Sequence, residues 1–207
     1  MKVAPVTLEG THVRLEPLGP QHAEAMILLA EDRTTFEWSL VPTVAEVPGY
    51  IGTAVAAMAR GEALVFATLD RRTGQLIGST RLFDLQRWIW QRGVDPRSGQ
   101  EVLDAAEIGY TWLAQRAQRT PINTEAKLLM LAHTFDAWRC RRVTLKTDAR
   151  NQRSRDAIAR LGAKFDGIIR AQQPAADGVT IRDTACFTIL DAEWPAVRAG
   201  LEARLER

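Results

Sequence analysis

The stretch Ala105-Ala106-Glu107-Ile108-Gly109-Tyr110-Thr111-Trp112-Leu113, followed by polar residues 115–123 and an apolar run over 124–138, decides how this chain folds. Its first part alternates, so Ile108, Tyr110 and Trp112 are expected on one face of a strand, with Glu107, Gly109 and Thr111 on the other. In its last part Ala126, Leu128, Leu129, Leu131, Ala132 and Phe135 spread around the helical circumference, which predicts a well-buried helix from about Thr124 to Trp138. A strand that runs through a polar loop into a buried helix leaves unpaired backbone N–H groups and the positive end of the helix dipole at the junction. That geometry takes an anion, and in particular a diphosphate. Gln118, Arg119, Thr120, Asn123 and Thr124 add side-chain donors, although an ordinary capped surface loop reads the same way.

Downstream, Val143, Leu145 and Thr147 alternate into another strand, Asn151 is a natural N-cap, and Gly162 closes a short helix. A second strand-to-helix junction beside the first suits an extended phosphorylated ligand. From Arg139 to Lys164 nine basic residues stand against two acids, Asp148 and Asp156. The excess favours a polyanion, although a solvated basic helix face explains most of these arginines equally well. Strands over 163–170 and 179–190 follow, and a final helix carries Trp194, Val197, Leu201 and Leu205 on one side.

Upstream, Val13 and Leu15 mark an opening strand, and Ala23, Met26, Ile27 and Ala30 a helix after Pro20. A second helix lies within 43–60, with Thr43 and Glu46 at capping-box spacing; Pro48 moves its regular start to Val47, and Gly61 stops it. Residues 64–69 and 75–85 read as a hairpin. Residues 86–104 are too long for an ordinary connection and read as an insertion or lid, a candidate specificity or dimer element. The resulting order, β-α-α-β-β-β-α-β-α-β-β with a C-terminal helix, predicts an α/β chain with a mixed sheet and helices on its faces, one domain over 1–207.

Composition narrows the function. Of 207 residues, 27 are Lys or Arg and 25 Asp or Glu, a formal net charge of +2, so a protein that wraps nucleic acid is disfavoured. No apolar run approaches the ~18 residues of a membrane span, and no secretory leader is expected. Two cysteines, Cys140 and Cys186, and three histidines make neither a disulfide framework nor a metal site, which predicts a cytoplasmic setting without a metal.

The residues quoted so far resemble a known family. Ala106-Glu107-Ile108-Gly109-Tyr110-Thr111-Trp112-Leu113 and Gln118-Arg119-Thr120-Pro121-Ile122-Asn123-Thr124-Glu125-Ala126-Lys127 look like the central motif of the GCN5-related N-acetyltransferases. The likeness is greatest to the branch holding the ribosomal-protein N-terminal acetyltransferases. Lys146-Thr147-Asp148-Ala149-Arg150-Asn151-Gln152-Arg153-Ser154 with Leu161-Gly162-Ala163 resembles its next motif, residues 8–18 its opening strand, and residues 183–194 its closing strand.

The resemblance implies acetyl transfer from acetyl-CoA to a primary amine, either a protein N-terminus or a small molecule such as an amino acid, polyamine or amino sugar. It implies that the strand carrying Thr111, Trp112 and Leu113 splays from the next one, with the pantetheine arm pairing with its backbone. The pyrophosphate would lie on Gln118, Arg119, Thr120, Ile122, Asn123 and Thr124, and Asn151 would bond the pantetheine arm. Glu107 matches a general-base position of some members; a structural ion pair is the alternative role for such a strand carboxylate. Two departures stand out. Arg119 and Pro121 replace the glycines usual in the phosphate loop, and Pro121 brings no N–H. Ile158 stands where many members have a proton-donating tyrosine, which leaves Ser154 or water for that step. A catalytically silent acyl-CoA sensor on the same scaffold is the competing function. Tyr50, Trp38, Trp88 and Trp90 fall in segments that border the acceptor cleft of such folds.

Overall fold

The protein is described from a computed structural model, over residues 3–32, 36, 38, 40–90, 95, 97 and 102–206. The strands are β1 (Leu8–Glu9), β2 (Val13–Pro17), β3 (Leu64–Asp70), β4 (Leu76–Gln86), β5 (Ala105–Leu113), β6 (Arg142–Asp148), β7 (Lys164–Pro174) and β8 (Ile181–Leu190), with apolar alternation clearest in β2 and β6. They form one mixed sheet in the order β1-β2-β3-β4-β5-β6-β8-β7. Neighbours pair antiparallel except β5 and β6, which are parallel because helix α3 (Pro121–Ala132) crosses over between them.

Two apolar layers hold helices to the sheet. On one face α1 (Ala23–Ala30) and α2 (Val47–Ala59) bury Met26, Val47, Ile51 and Ala54 against Val65, Ala67 and Trp112. On the other, α3, α4 (Gln152–Arg160) and α5 (Trp194–Leu205) bury Met130, Leu131, Ile158 and Leu201 against Phe66, Leu82, Ile108, Val143 and Ile189. Each such fully buried large side chain contributes roughly 1.5–3 kcal/mol. Pro48 sits in the first turn of α2, and a short 3-10 turn over Val44–Glu46 with the Thr43/Glu46 capping box precedes it, so the regular helix does begin at Val47.

Two expectations are corrected. The helix expected from Thr124 begins at Pro121: Thr120 is its N-cap, and proline at the first helical position gives up only an N–H that has no partner inside the helix. It also ends in a wider π turn over His133–Ala137. The second correction concerns β5. Arg81 pairs with Gly109 but Ser79 with Trp112, so β5 carries one extra residue, and Tyr110 takes a left-handed φ of 50° at the bulge. Past the bulge the facing inverts. Ile108 packs towards α3 while Trp112 packs towards α1 and α2, and Tyr110 meets Phe83 and Arg81, both on the Glu107 side of the sheet.

In the long segment, Arg97 binds Asp95 (3.0 Å) and Asp104, and Arg141 binds Asp95 (3.0 Å), which ties that part to the start of β6. The rest of the expected lid, 91–94, 96 and 98–101, lies outside the described residues.

Candidate active site

The site is built where the sheet comes apart. β5 and β6 pair from Ala105↔Arg142 to Ile108↔Leu145 and no further, although both strands continue, to Leu113 and Asp148. The β6-side backbone edge of 109–113 is left without a strand partner. The side chains there are committed elsewhere. Thr111 Oγ1 takes a 2.7 Å hydrogen bond from Lys127 Nζ and lies 2.7 Å from Thr80 Oγ1. Trp112 is buried edge-on to Phe36, and Leu113 packs on the α3 side. Gly78 makes this close approach feasible, since a Cβ there would stand 2.1 Å from the Trp112 carbonyl oxygen.

At the end of the gap, the loop into α3 is tightly organised. Thr120 Oγ1 donates to the Ala117 carbonyl at 2.8 Å and accepts weakly from the Ile122 N–H at 3.4 Å. Gln118 donates from Nε2 to the Leu113 carbonyl at 2.9 Å and accepts from Arg153 Nη1 at 3.2 Å, joining the end of β5 to the first turn of α4. Arg119 has φ 60°, the left-handed conformation glycine favours, so the loop keeps the shape without the residue. Asn123 and Thr124 lie in the first turn of α3, whose N–H groups point out of the helix, while the Ile122 side chain is in the core. Asn151 caps α4 by accepting the Ser154 N–H at 3.0 Å. Ile158 is buried in the core and offers no proton.

The basic run over 139–164 is dispersed rather than gathered at this loop. Arg150 pairs with Asp148 (2.7 Å), Lys146 with Glu107 (2.7 Å) and Lys164 with Glu193 (2.6 Å), and Arg141 faces Asp95. Arg153 is the member of the run that reaches the loop through Gln118.

On the opposite face of the sheet, Leu40, Val41, Pro42, Tyr50, Arg81 and Tyr110 help line a cavity of about 510 Å³ between α2 and the β5 bulge. Glu107 lies on this face, directly across from Phe83, and its carboxylate passes over Gly109, 3.6 Å from where a Cβ would be. Burial pushes the Glu107 carboxyl above the ordinary carboxylate range, against the opposing pull of Lys146. Of the aromatic residues expected at the acceptor cleft, Tyr50 lines the cavity. Trp38 stacks under Arg150, and Trp88 and Trp90 sit against Arg142 and Arg141.

Sequence reasoning assigned no role to Lys127, which is buried with hydroxyl partners on Thr80 and Thr111; burial brings its ammonium down to about 7. The available signal is a lysine followed directly by the apolar run 128–132 of a largely enclosed helix. Arg81 was missed too, because a basic residue in a hairpin strand carries no mark of what it faces. Burial pushes the Cys140 thiol up to about 12 and raises that of Cys186, so neither suits a nucleophile's role. Among the described residues no helix is long and apolar enough to cross a membrane. Among the same residues no group of three His, Cys, Asp or Glu is placed to hold a metal ion.

A parallel pair of strands that separates beside a capped helix start, on a mixed sheet of this order, defines an acetyltransferase fold. The family described as the acetyltransferase (GNAT) domain matches residues 12–164, and the chain belongs to that family. A GCN5-related N-acetyltransferase from Brucella melitensis is similar at 30% identity and TM-score 0.79, over 99% of this chain and 87% of that one. A protein from T. thermophilus, solved as a proposed acetyltransferase, is similar at 30% identity and TM-score 0.77, over 99% of this chain and 100% of that one. Mycobacterium smegmatis RimJ, in complex with CoA-disulfide, shares the fold at 21% identity and TM-score 0.75, over 98% and 93% of the two chains. A search of curated proteins finds no match to the chain.

Proposed function

We propose that this chain is a single N-acetyltransferase domain that moves the acetyl group of acetyl-CoA to a primary amine by direct attack on the thioester. The observation that carries this reading is the gap beyond Ile108 and Leu145, which opens a backbone edge next to the start of α3. The free edge at 111–113 suits a pantetheine amide, the N–H groups at Arg119 and in the first turn of α3 suit a diphosphate, and the Arg119 guanidinium adds positive charge. Asn151, at the start of α4, is the further pantetheine partner.

An amine at neutral pH must shed a proton before its lone pair can bond to the thioester carbon. Glu107, raised by burial and standing on the cavity's face of the sheet, takes that proton directly or through one water. The nitrogen–carbon bond forms, the carbon–sulfur bond breaks, and the departing thiolate takes a proton from the Ser154 hydroxyl or from water. That Mycobacterium smegmatis RimJ, which shares the fold, is in complex with CoA-disulfide is in keeping with a CoA-type ligand in this gap.

Ile158 favours one competing reading, a silent acyl-CoA sensor, because it leaves the thiolate without a tyrosine donor. Thermal denaturation with and without acetyl-CoA, then thiol release across a panel of amines and N-terminal peptides, decides between them. Stabilisation with turnover supports the transferase, stabilisation with no turnover on any acceptor supports the sensor, and no stabilisation at saturating acetyl-CoA overturns both.

A further inference from the structure

Among the groups lining the cavity beside the bulge, Arg81 has the least to do. Its guanidinium lies 4.1 Å from the centre of the Tyr110 ring and 5.3 Å from that of Tyr50. Its Nε is buried without a hydrogen-bond partner, and among the described residues no carboxylate pairs with it. Two acids near it, among the described residues, are engaged elsewhere. Glu107 is held by Lys146, and Glu46, at the cavity's edge, accepts from the Thr43 N–H at 2.8 Å and the Thr43 hydroxyl at 2.9 Å. The Tyr50 hydroxyl is also committed, donating to Ser79 Oγ at 3.3 Å.

A guanidinium is always charged, and it is left unpaired in a partly desolvated wall only at a cost that a bound anion removes. Two aromatic faces fix its plane, so its fork is presented in one orientation, and a planar carboxylate matches that fork with two hydrogen bonds. Arg81 also pairs across the ladder with Gly109, one residue before the bulge, and it shares a face with Glu107, a diagonal neighbour. Diagonal neighbours in a sheet stand about 7–8 Å apart. One small molecule can therefore place its amine on the Glu107 side and an anionic group against Arg81.

We infer that Arg81 selects acceptors that carry a carboxylate a few bonds from the amine, with an apolar body against Leu40, Val41 and Pro42. This rests on the amine-acetylation reading above and narrows it. Polyamines and amino sugars bring further positive charge to an unpaired cation and are rejected. The carboxylate has two sources, a free amino acid or an acidic residue at a peptide N-terminus, and matched pairs distinguish them: leucine against leucinamide, and a peptide beginning Asp-Ala against one beginning Asn-Ala.

Binding is measured first, by calorimetry on the CoA-loaded protein, because it needs no turnover. Thiol release then gives kcat and KM for each pair, compared per unprotonated amine. The expected result is that one carboxylated member binds at least about tenfold more tightly than its amide. Arg81→Met and Arg81→Gln should erase that difference while leaving the amide and the KM for acetyl-CoA within about twofold, and Arg81→Lys should restore part of it. A preference confined to leucine assigns a free amino acid; one confined to the Asp peptide assigns an acidic N-terminus. The inference is overturned if wild-type protein does not discriminate within either pair, or if the variants weaken both members equally. Arg81-dependent binding of the carboxylate with no acetylation of any amine would keep the inference and remove the transferase reading.

Discussion

Lys127 is an ammonium buried among hydroxyls, and its proton carries a stability signature. A lysine in the unfolded chain titrates near 10.4, whereas burial brings Lys127 to about 7 in the folded protein. Between those values the unfolded chain holds a proton that the folded chain has released. Stability therefore rises with pH across that window, and the penalty is fully present below about pH 7. Lys127→Met should stabilise the protein by on the order of 2 kcal/mol near pH 6, with the gain shrinking towards pH 10, as denaturant unfolding at the two pH values will read. Glu107 carries the corresponding kinetic signature. With its carboxyl raised by burial, the acidic limb of kcat/KM should fall above the ordinary carboxylate range, and Glu107→Gln should lower kcat about 10²-fold and abolish that limb. A variant that keeps the same limb assigns the proton to another group and leaves the Lys146 contact a purely structural pair. The facing of Glu107, away from Ile108, was legible from the alternation before the bulge. Lys127 was not, because the chemistry of a buried lysine comes from the absence of a carboxylate, and one sequence does not display what is absent.

The elements with the clearest sequence patterns are where the expected order holds: β3 and β4 with their Asp70–Gln75 turn, α2 with its delayed start, and α5 with its apolar side. The structure departs from the expected pattern at single residues. Ala105–Leu113 alternates so regularly that an extra residue at Tyr110 leaves the pattern intact while reversing which side chains follow. By sequence Pro121 costs the loop a donor; in the structure it is the first residue of α3, where a proline is pre-organised. Two substitutions test the loop and the strand it supports. Arg119→Gly should relieve the left-handed φ and add about 1 kcal/mol of stability. The same change should raise the KM for acetyl-CoA about fivefold through the lost guanidinium. The opposite signs separate backbone from side chain. Gly78→Ala should push β5 off β4 at Trp112, destabilise by about 2–3 kcal/mol and weaken acetyl-CoA binding with it, measured by unfolding and titration in parallel.

For the whole molecule, the mixed sheet and its helical layers were legible, since hairpins interspersed with crossover helices admit few other arrangements. The basic run over 139–164 was legible as charge but not as geometry. Asp148, within the run, takes Arg150, but the acids that take Arg141, Lys146 and Lys164 are Asp95, Glu107 and Glu193, distant in sequence and brought there by the fold. Acetyl-CoA at a hundred times its dissociation constant should stabilise the chain by about 2.7 kcal/mol. That corresponds to a rise of roughly 5–10 °C in Tm for a protein of this size. The short pairing of β5 with β6 also has a mechanical side. Within the sheet, the strands from β1 to β5 and the strands from β6 to β8 are welded only at 105–108 against 142–145, with a slit running from the weld to the edge. Such a plate flexes about its weld, and a body lodged in the slit acts as a wedge that stiffens both leaves. Amide exchange over 109–113 and 146–148 should therefore slow severalfold when acetyl-CoA is present, while the amides shared by β2, β3 and β4 exchange at their original rates.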